Sequence, residues 1–256
     1  MQLLGYNRTA LMLYKTFSAA VFGIDAYPVE VEVDVSAGQG YFTTVGLPDA
    51  AVRESRERIK SAIKNCGLEF PFQNTTVNLA PADIKKEGSG FDLAIALGIL
   101  GTTGVLLKND LNGSLFLGEL SLDGSLRPIK GALSIASMAR QKKIRRLVLP
   151  AENACEAAVV EGVEVYGLKS LPEVLDLINE TREFKPALAK RSDLLAHVNQ
   201  YAVDFRDVKG RVADLLPSIE IQHEDANRRR QIAAGLAALA RAVDRADQFG
   251  QALPAR

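Results

Sequence analysis

Val29-Glu30-Val31-Glu32-Val33-Asp34-Val35 is the stretch that decides the fold. Valines alternate with carboxylates at a period of two, so one face of an extended chain is β-branched and the other acidic. This is a half-buried strand with one solvated face. The following Ser36-Ala37-Gly38-Gln39-Gly40 is a turn, and residues 41–45 read as the partner strand of a hairpin. Gly46-Leu47-Pro48-Asp49 closes that strand and opens a helix. Val52, Ser55, Ile59, Ala62, Ile63 and Cys66 share its apolar face, and Gly67 stands where a C-terminal cap belongs. The alternating Arg, Glu and Lys residues between Arg53 and Lys60 form its solvated face, with i,i+3 and i,i+4 ion pairs. A strand over 74–79 ends at Pro81.

Further along, residues 91–100 are apolar nearly all round, which marks a helix buried inside a domain. Residues 114–122 read as a strand. Asp123-Gly124 is a strong hairpin signal, and Leu126 starts the return strand. A helix over 131–142, a strand from Arg146, a helix from Pro150 to about Glu161, a strand over 163–166 and a helix over 171–178 complete the pattern. The expected fold is α+β, a mixed sheet with packed helices over residues 15–179. Residues 1–14 read as an N-terminal extension, 180–203 as a polar and basic linker, and 204–256 as a short helical C-terminal segment. In the last of these, Ile232, Leu236, Leu239 and Val243 mark a narrow apolar stripe.

Bulk composition narrows the function classes. The 31 basic and 31 acidic residues cancel, so any nucleic-acid contact must come from a local patch. Cys66 and Cys155 read as two buried, reduced thiols of a cytoplasmic protein. His197 and His223 have no cysteine cluster beside them, so no metal site is expected. No apolar run approaches the ~18 residues of a membrane span.

Several blocks together carry a family resemblance. They are the segment from Phe17 to Ala26, Val45-Gly46-Leu47-Pro48-Asp49-Ala50-Ala51-Val52-Arg53-Glu54-Ser55, Asn78-Leu79-Ala80-Pro81-Ala82-Asp83, the segment from Lys85 to Ala96, and Gly118-Glu119-Leu120-Ser121-Leu122-Asp123-Gly124. In this order they resemble the magnesium-chelatase-like ComM (YifB-type) proteins of the AAA+ ATPase family. The resemblance implies an N-terminal domain similar to the proteolytic domain of Lon and to the end domain of the DNA-repair ATPase RadA. It also implies a homo-hexamer that drives DNA branch migration in natural transformation, with ATP and Mg²⁺ as cofactors of the full-length family. Insertion of magnesium into a porphyrin rests only on the family's name and is discounted.

The Lon resemblance raises the question of a peptidase. Lon-type enzymes pair a serine nucleophile with an unprotonated lysine base. The nucleophile lies in a Gly-Pro-Ser-Ala-Gly turn, which matches Gly88-Ser89-Gly90-Phe91-Asp92 and puts Gly90 in the serine's place. The base lies in Pro-Ile-Gly-Gly-Leu-Lys, which matches Pro128-Ile129-Lys130-Gly131-Ala132-Leu133 and puts Leu133 in the lysine's place. Gly90 and Leu133 are thus vestigial positions, and no catalytic residue is expected. A shifted reading sets Ser89 against Lys130 as a weak Ser/Lys peptidase. The Gly88–Gly90 turn reads either as a tight strand-to-helix turn or as an anion cradle, and Asp92 as a first-turn acid favoured by the helix dipole.

Tyr201-Ala202-Val203-Asp204-Phe205-Arg206-Asp207-Val208-Lys209-Gly210 resembles the opening of the AAA+ module, and the family pattern breaks at Gly210. No Gly-rich phosphate loop follows. The chain is therefore expected to be truncated before the motor, to hold no cofactor and not to hydrolyse ATP alone.

Arg140, Lys142, Lys143, Arg145 and Arg146 form the densest basic run, to which Lys85, Lys86, Arg127 and Lys130 could add from nearby turns. It reads either as a solvated helix end or as a DNA-phosphate patch. Little aromatic interleaving supports base stacking. The expected function is a non-catalytic Lon-like domain that supports ring assembly or guides DNA.

Overall fold

A computed structural model describes residues 13–108 and 110–188. Most of the N-terminal extension, the remainder of the linker and the whole 204–256 segment lie outside the described residues.

The acid–valine alternation lies within strand β2 (Asp25–Ser36). Val29, Val31 and Val33 are fully buried, while Glu32 faces out and accepts from Asn78 at 2.8 Å. Its hairpin partner is not residues 41–45. It is β1 (Leu13–Phe22), which runs antiparallel to β2 from Leu13 opposite Asp34 to Phe22 opposite Asp25. Strand β3 (Phe42–Val45) pairs instead with β4 (Asn74–Ala80), and in parallel. β4 lies between β2 and β3, giving the order β1-β2-β4-β3. Two features impose this arrangement. Helix α1 (Ala50–Asn65) connects β3 to β4 as a crossover, which favours parallel pairing. Asn74 accepts from the Tyr41 N–H at 3.1 Å, and the Tyr41 carbonyl accepts from Thr75 N–H at 2.8 Å. Both bonds seat the start of β3 on β4.

β1 carried no alternating strand signal because its residues 18–20 are buried on both faces, while Leu13 and Lys15 near its start are exposed. Tyr14 and Ala20 enter one apolar core and Ala19 a second. Buried Thr16 donates its hydroxyl to the Ala94 carbonyl at 2.9 Å, so a polar residue interrupts the pattern. Helix α2 (Asp92–Thr102) is buried at every position. Its glycines permit the contact: a Cβ on Gly98 would stand 2.4 Å from Val33, and one on Gly101 2.4 Å from the Tyr14 ring.

A second sheet holds three parallel strands, β5 (Ser114–Phe116), β8 (Arg146–Pro150) and β9 (Glu164–Leu168), in the order β5-β8-β9. Between β5 and β8 come the hairpin β6 (Glu119–Leu120) and β7 (Leu126–Arg127), turned at Asp123-Gly124, and helix α3 (Ala132–Gln141). The expected single strand over 114–122 breaks at Gly118, whose N–H leaves β8 and donates to the Gly90 carbonyl at 2.9 Å. After β8 the chain forms a 3₁₀ turn, Ala151–Asn153, and the short helix α4 (Ala154–Ala157), which is shorter than the expected run to Glu161. Helix α5 (Leu171–Asn179) follows β9. The fold is α+β with mixed sheets and packed helices.

The first residues of the expected linker pack on the domain. Ala187 N–H donates to the Val165 carbonyl at 2.7 Å, and Phe184 lies on the first core. The expectation of two buried thiols fails: Cys155 is exposed on α4, and Cys66, at the end of α1, is half-buried. Among the described residues no helix is long and apolar enough to cross a membrane.

Candidate functional site

A cleft of about 740 Å³ opens at the C-terminal end of β5, the end at which parallel strands commonly present ligands. Its walls are Ala19–Val21 of β1, the Gly88–Phe91 turn before α2, Leu117 and Glu119, and the Pro128–Gly131 loop before α3. Three buried or part-buried polar side chains, Asp49, Asp92 and Asn153, fix the turns around it.

Asp49 anchors the Gly88 turn. It caps α1 by accepting from Val52 N–H at 2.8 Å with one oxygen, and accepts from Gly88 N–H at 3.0 Å with the other. The same junction is tied by Asp49 N–H to the Lys86 carbonyl at 3.0 Å. Gly88 has φ +83, so the tight-turn reading of the glycines is correct there. Its N–H is already held by a carboxylate, which removes a donor from the anion-cradle reading.

Asp92 anchors the start of α2. Its carboxylate is buried and accepts from Arg58 Nε at 2.8 Å, Arg58 Nη2 at 3.2 Å and Leu120 N–H at 3.3 Å. Burial pushes its carboxyl up to about 6 despite the opposing pull of Arg58. By its position in the sequence Arg58 belongs to the solvated charge ladder of α1. It turns inward instead, and the ion pair between α1 residues is Arg56–Glu57 at 3.6 Å, adjacent in sequence, so the expected i,i+3 and i,i+4 pairs do not form. Asn153 anchors the Pro128–Gly131 loop. It is buried, accepts from Ile129 N–H at 2.8 Å and donates to the Ile129 carbonyl at 2.9 Å. In the sequence Asn153 marks only a helix start. A double clamp on a residue 24 positions away leaves no local signal.

Ser89, Gly90 and Lys130 all line the cleft. A Cβ on Gly90 would stand 3.6 Å from Ile129 Cγ2, an ordinary contact, so a side chain would fit and none is present. Ser89 donates its hydroxyl to the Glu119 carboxylate. Leu133 is not among the lining residues. It is 47% exposed in the first turn of α3 and borders a different depression with Ile24 and Ala26. Asp49, Glu87 and Glu119 against Lys130 make the cleft acidic on balance, which opposes phosphate binding there. Among the described residues no group of three or more His, Cys, Asp or Glu side chains could hold a metal ion.

The expected basic patch divides. Lys86 is fully buried and donates to the Pro81 carbonyl, and burial lowers its ammonium pKa. It cannot reach a phosphate, so its place in the patch is corrected. Its side chain secures the turn after β4, a role that adjacent Lys85-Lys86 in the sequence does not reveal. Lys85 pairs with Glu87 at 2.6 Å, and Arg145 and Arg146 share Glu164 at 3.2 and 3.5 Å. Arg127 donates to the Ser121 hydroxyl at 2.6 Å. Among the described residues Lys130, Arg140, Lys142 and Lys143 form no ion pair.

Known proteins share much of this sequence. The family model for subunit ChlI of Mg-chelatase matches residues 31–153. Competence protein ComM of Haemophilus influenzae is 40% identical over 163 residues, which is 64% of this chain and 32% of ComM. The chain belongs to the ComM-type, magnesium-chelatase-like family. Another relative, an uncharacterized protein of Mycobacterium tuberculosis, is 36% identical over 200 residues, 78% of this chain. The matched part spans 39% of that relative's own length. Lon protease 2 of Bacillus subtilis is 26% identical over 190 residues, 65% of this chain and 33% of that protease. Both matching turns, Gly88–Asp92 and Pro128–Leu133, therefore fall in a family member with distant similarity to a protease.

Proposed function

We propose that this chain provides a non-catalytic, Lon-like domain of a ComM-type AAA+ protein that processes DNA. It supports ring assembly or guides DNA beside an ATPase motor, in a homo-hexamer. ATP and Mg²⁺ belong to the motor and not to this domain. Branch migration during natural transformation is the process it serves, in the cytoplasm.

One observation carries the non-catalytic reading: the cleft has Gly90 in the nucleophile's position, and the neighbouring Ser89 hydroxyl is bonded to Glu119. A glycine offers no nucleophile, and Leu133 offers no base. Ser89 and Lys130 share the cleft, which favours the Ser/Lys peptidase as a second reading. Against it, the Ser89 proton points to a carboxylate. A serine-reactive fluorophosphonate probe tests the choice. The scaffold reading expects no labelling at pH 7 to 9. Labelling that disappears in Ser89→Ala and in Lys130→Met supports the peptidase and overturns the scaffold.

A further inference from the structure

We infer that a pocket between β1 and the end of α3 takes one unpaired base of single-stranded DNA, with the flanking phosphates on Lys142, Lys143 and Arg140. The inference rests on the DNA-guiding reading and names the form of DNA bound. The pocket measures about 280 Å³, and Phe17, Pro28, Leu115 and Ile144 give it apolar walls while Lys142 stands on its rim. Those residues come from four separate segments, and for this reason the sequence showed no aromatic residue beside the basic run. The fold puts one there: Phe17 of β1, half-buried against the second core.

The charges around the pocket are uneven in the direction DNA needs. Lys142 and Lys143 are exposed, with no ion pair among the described residues. The nearby carboxylates are already engaged. Glu30, opposite Phe17 in the ladder, and Glu32 both bind Lys15, at 2.6 and 2.9 Å. Asp110 accepts from the Asn112 N–H and side-chain amide, both at 2.7 Å. Ser114 also lines the pocket and offers a hydroxyl to a base edge, while the Asn112 amide nitrogen is held by Asp110. An apolar slot with an aromatic wall and a cationic rim is the arrangement that binds single strands without sequence preference. The acidic cleft at Ser89 has the opposite balance.

The test measures binding of the full chain to two fluorescent oligomers of equal length at low salt, a thymidine oligomer and its abasic counterpart. Equal phosphate contacts leave only the base to distinguish them. Wild type is expected to bind the thymidine oligomer about tenfold more tightly, as one stacked base allows. Phe17→Leu, which keeps apolar volume and loses the ring, should bring the two affinities within about twofold. Lys142→Glu should weaken both oligomers together. Equal wild-type affinities for the two oligomers overturn the pocket and leave the DNA reading standing. Binding to neither oligomer overturns the DNA reading and the pocket with it.

Discussion

Replacing Asp92 by asparagine should make the domain's stability less sensitive to pH. In the unfolded chain the Asp92 carboxyl titrates at its ordinary 3.8, and in the fold at about 6. Between those values the folded chain holds a proton that the unfolded chain has lost. Stability from this group is therefore fully present below 3.8 and falls as pH rises through about 6. The full loss is about 3 kcal/mol, since each tenfold change in an acid's dissociation constant is worth about 1.4 kcal/mol. Between pH 4 and 7.5 about 2.5 kcal/mol of it should be visible. Burial is the cause that wins. Arg58, itself partly solvated, returns only part of what the buried carboxylate loses with its water. The side-chain amide of Asp92→Asn keeps an acceptor for Leu120 N–H and does not titrate. Urea unfolding followed by far-UV circular dichroism, on both proteins at both pH values, gives the two differences in free energy. The variant should gain on wild type by about 2.5 kcal/mol on going from pH 4 to 7.5. A gap that stays constant, or that moves in wild type's favour with rising pH, refutes the reasoning. The second outcome would mean that Arg58 outweighs burial.

Asn153→Ala should cost about 1–2 kcal/mol, because it removes two hydrogen bonds that clamp the half-buried Ile129 backbone; thermal denaturation measures the loss, and faster amide exchange at Ile129 locates it. Gly101→Ala should destabilise by about 1–3 kcal/mol, since the new methyl meets the Tyr14 ring at 2.4 Å, while Gly67→Ala, with open space around it, should show only the milder backbone strain of its positive φ; urea unfolding of the two variants side by side checks the order. Lys86→Met should lower stability by about 1 kcal/mol by removing the hydrogen bond to the Pro81 carbonyl, yet leave affinity for DNA unchanged, as anisotropy titrations of the folded variant would show.

Legibility in the sequence followed how local each signal was. The valine ladder of β2, the Asp49-capped helix α1 and the all-apolar α2 were readable because their periodicity survives in a short window. β1 was invisible as a strand because it serves two cores at once and buries Thr16 and Ser18. The β3 pairing was misread because proximity in sequence favours a hairpin, and nothing local reports that β4 will occupy the space between β2 and β3. At the cleft, the turn residues were legible as motifs, whereas the ties that shape it were not. Arg58 to Asp92 spans 34 residues, and Ser89 to Glu119 spans 30. The basic run showed the same divide: an exposed Lys85 and a buried Lys86 look alike until Pro81 is placed beside one of them.

The complete burial of α2 bears on how this domain opens. A helix without a solvated face cannot fray outward into water while the rest of the molecule stays intact, because β1, β2, α1 and β6 pack around it and every residue of it is buried. Solvent deuterium should thus reach its central amides only in molecules that have lost the whole domain architecture. The slowest-exchanging protons of residues 95–100 would then act as an internal gauge of global unfolding, against which the opening of any single loop of the domain can be scaled.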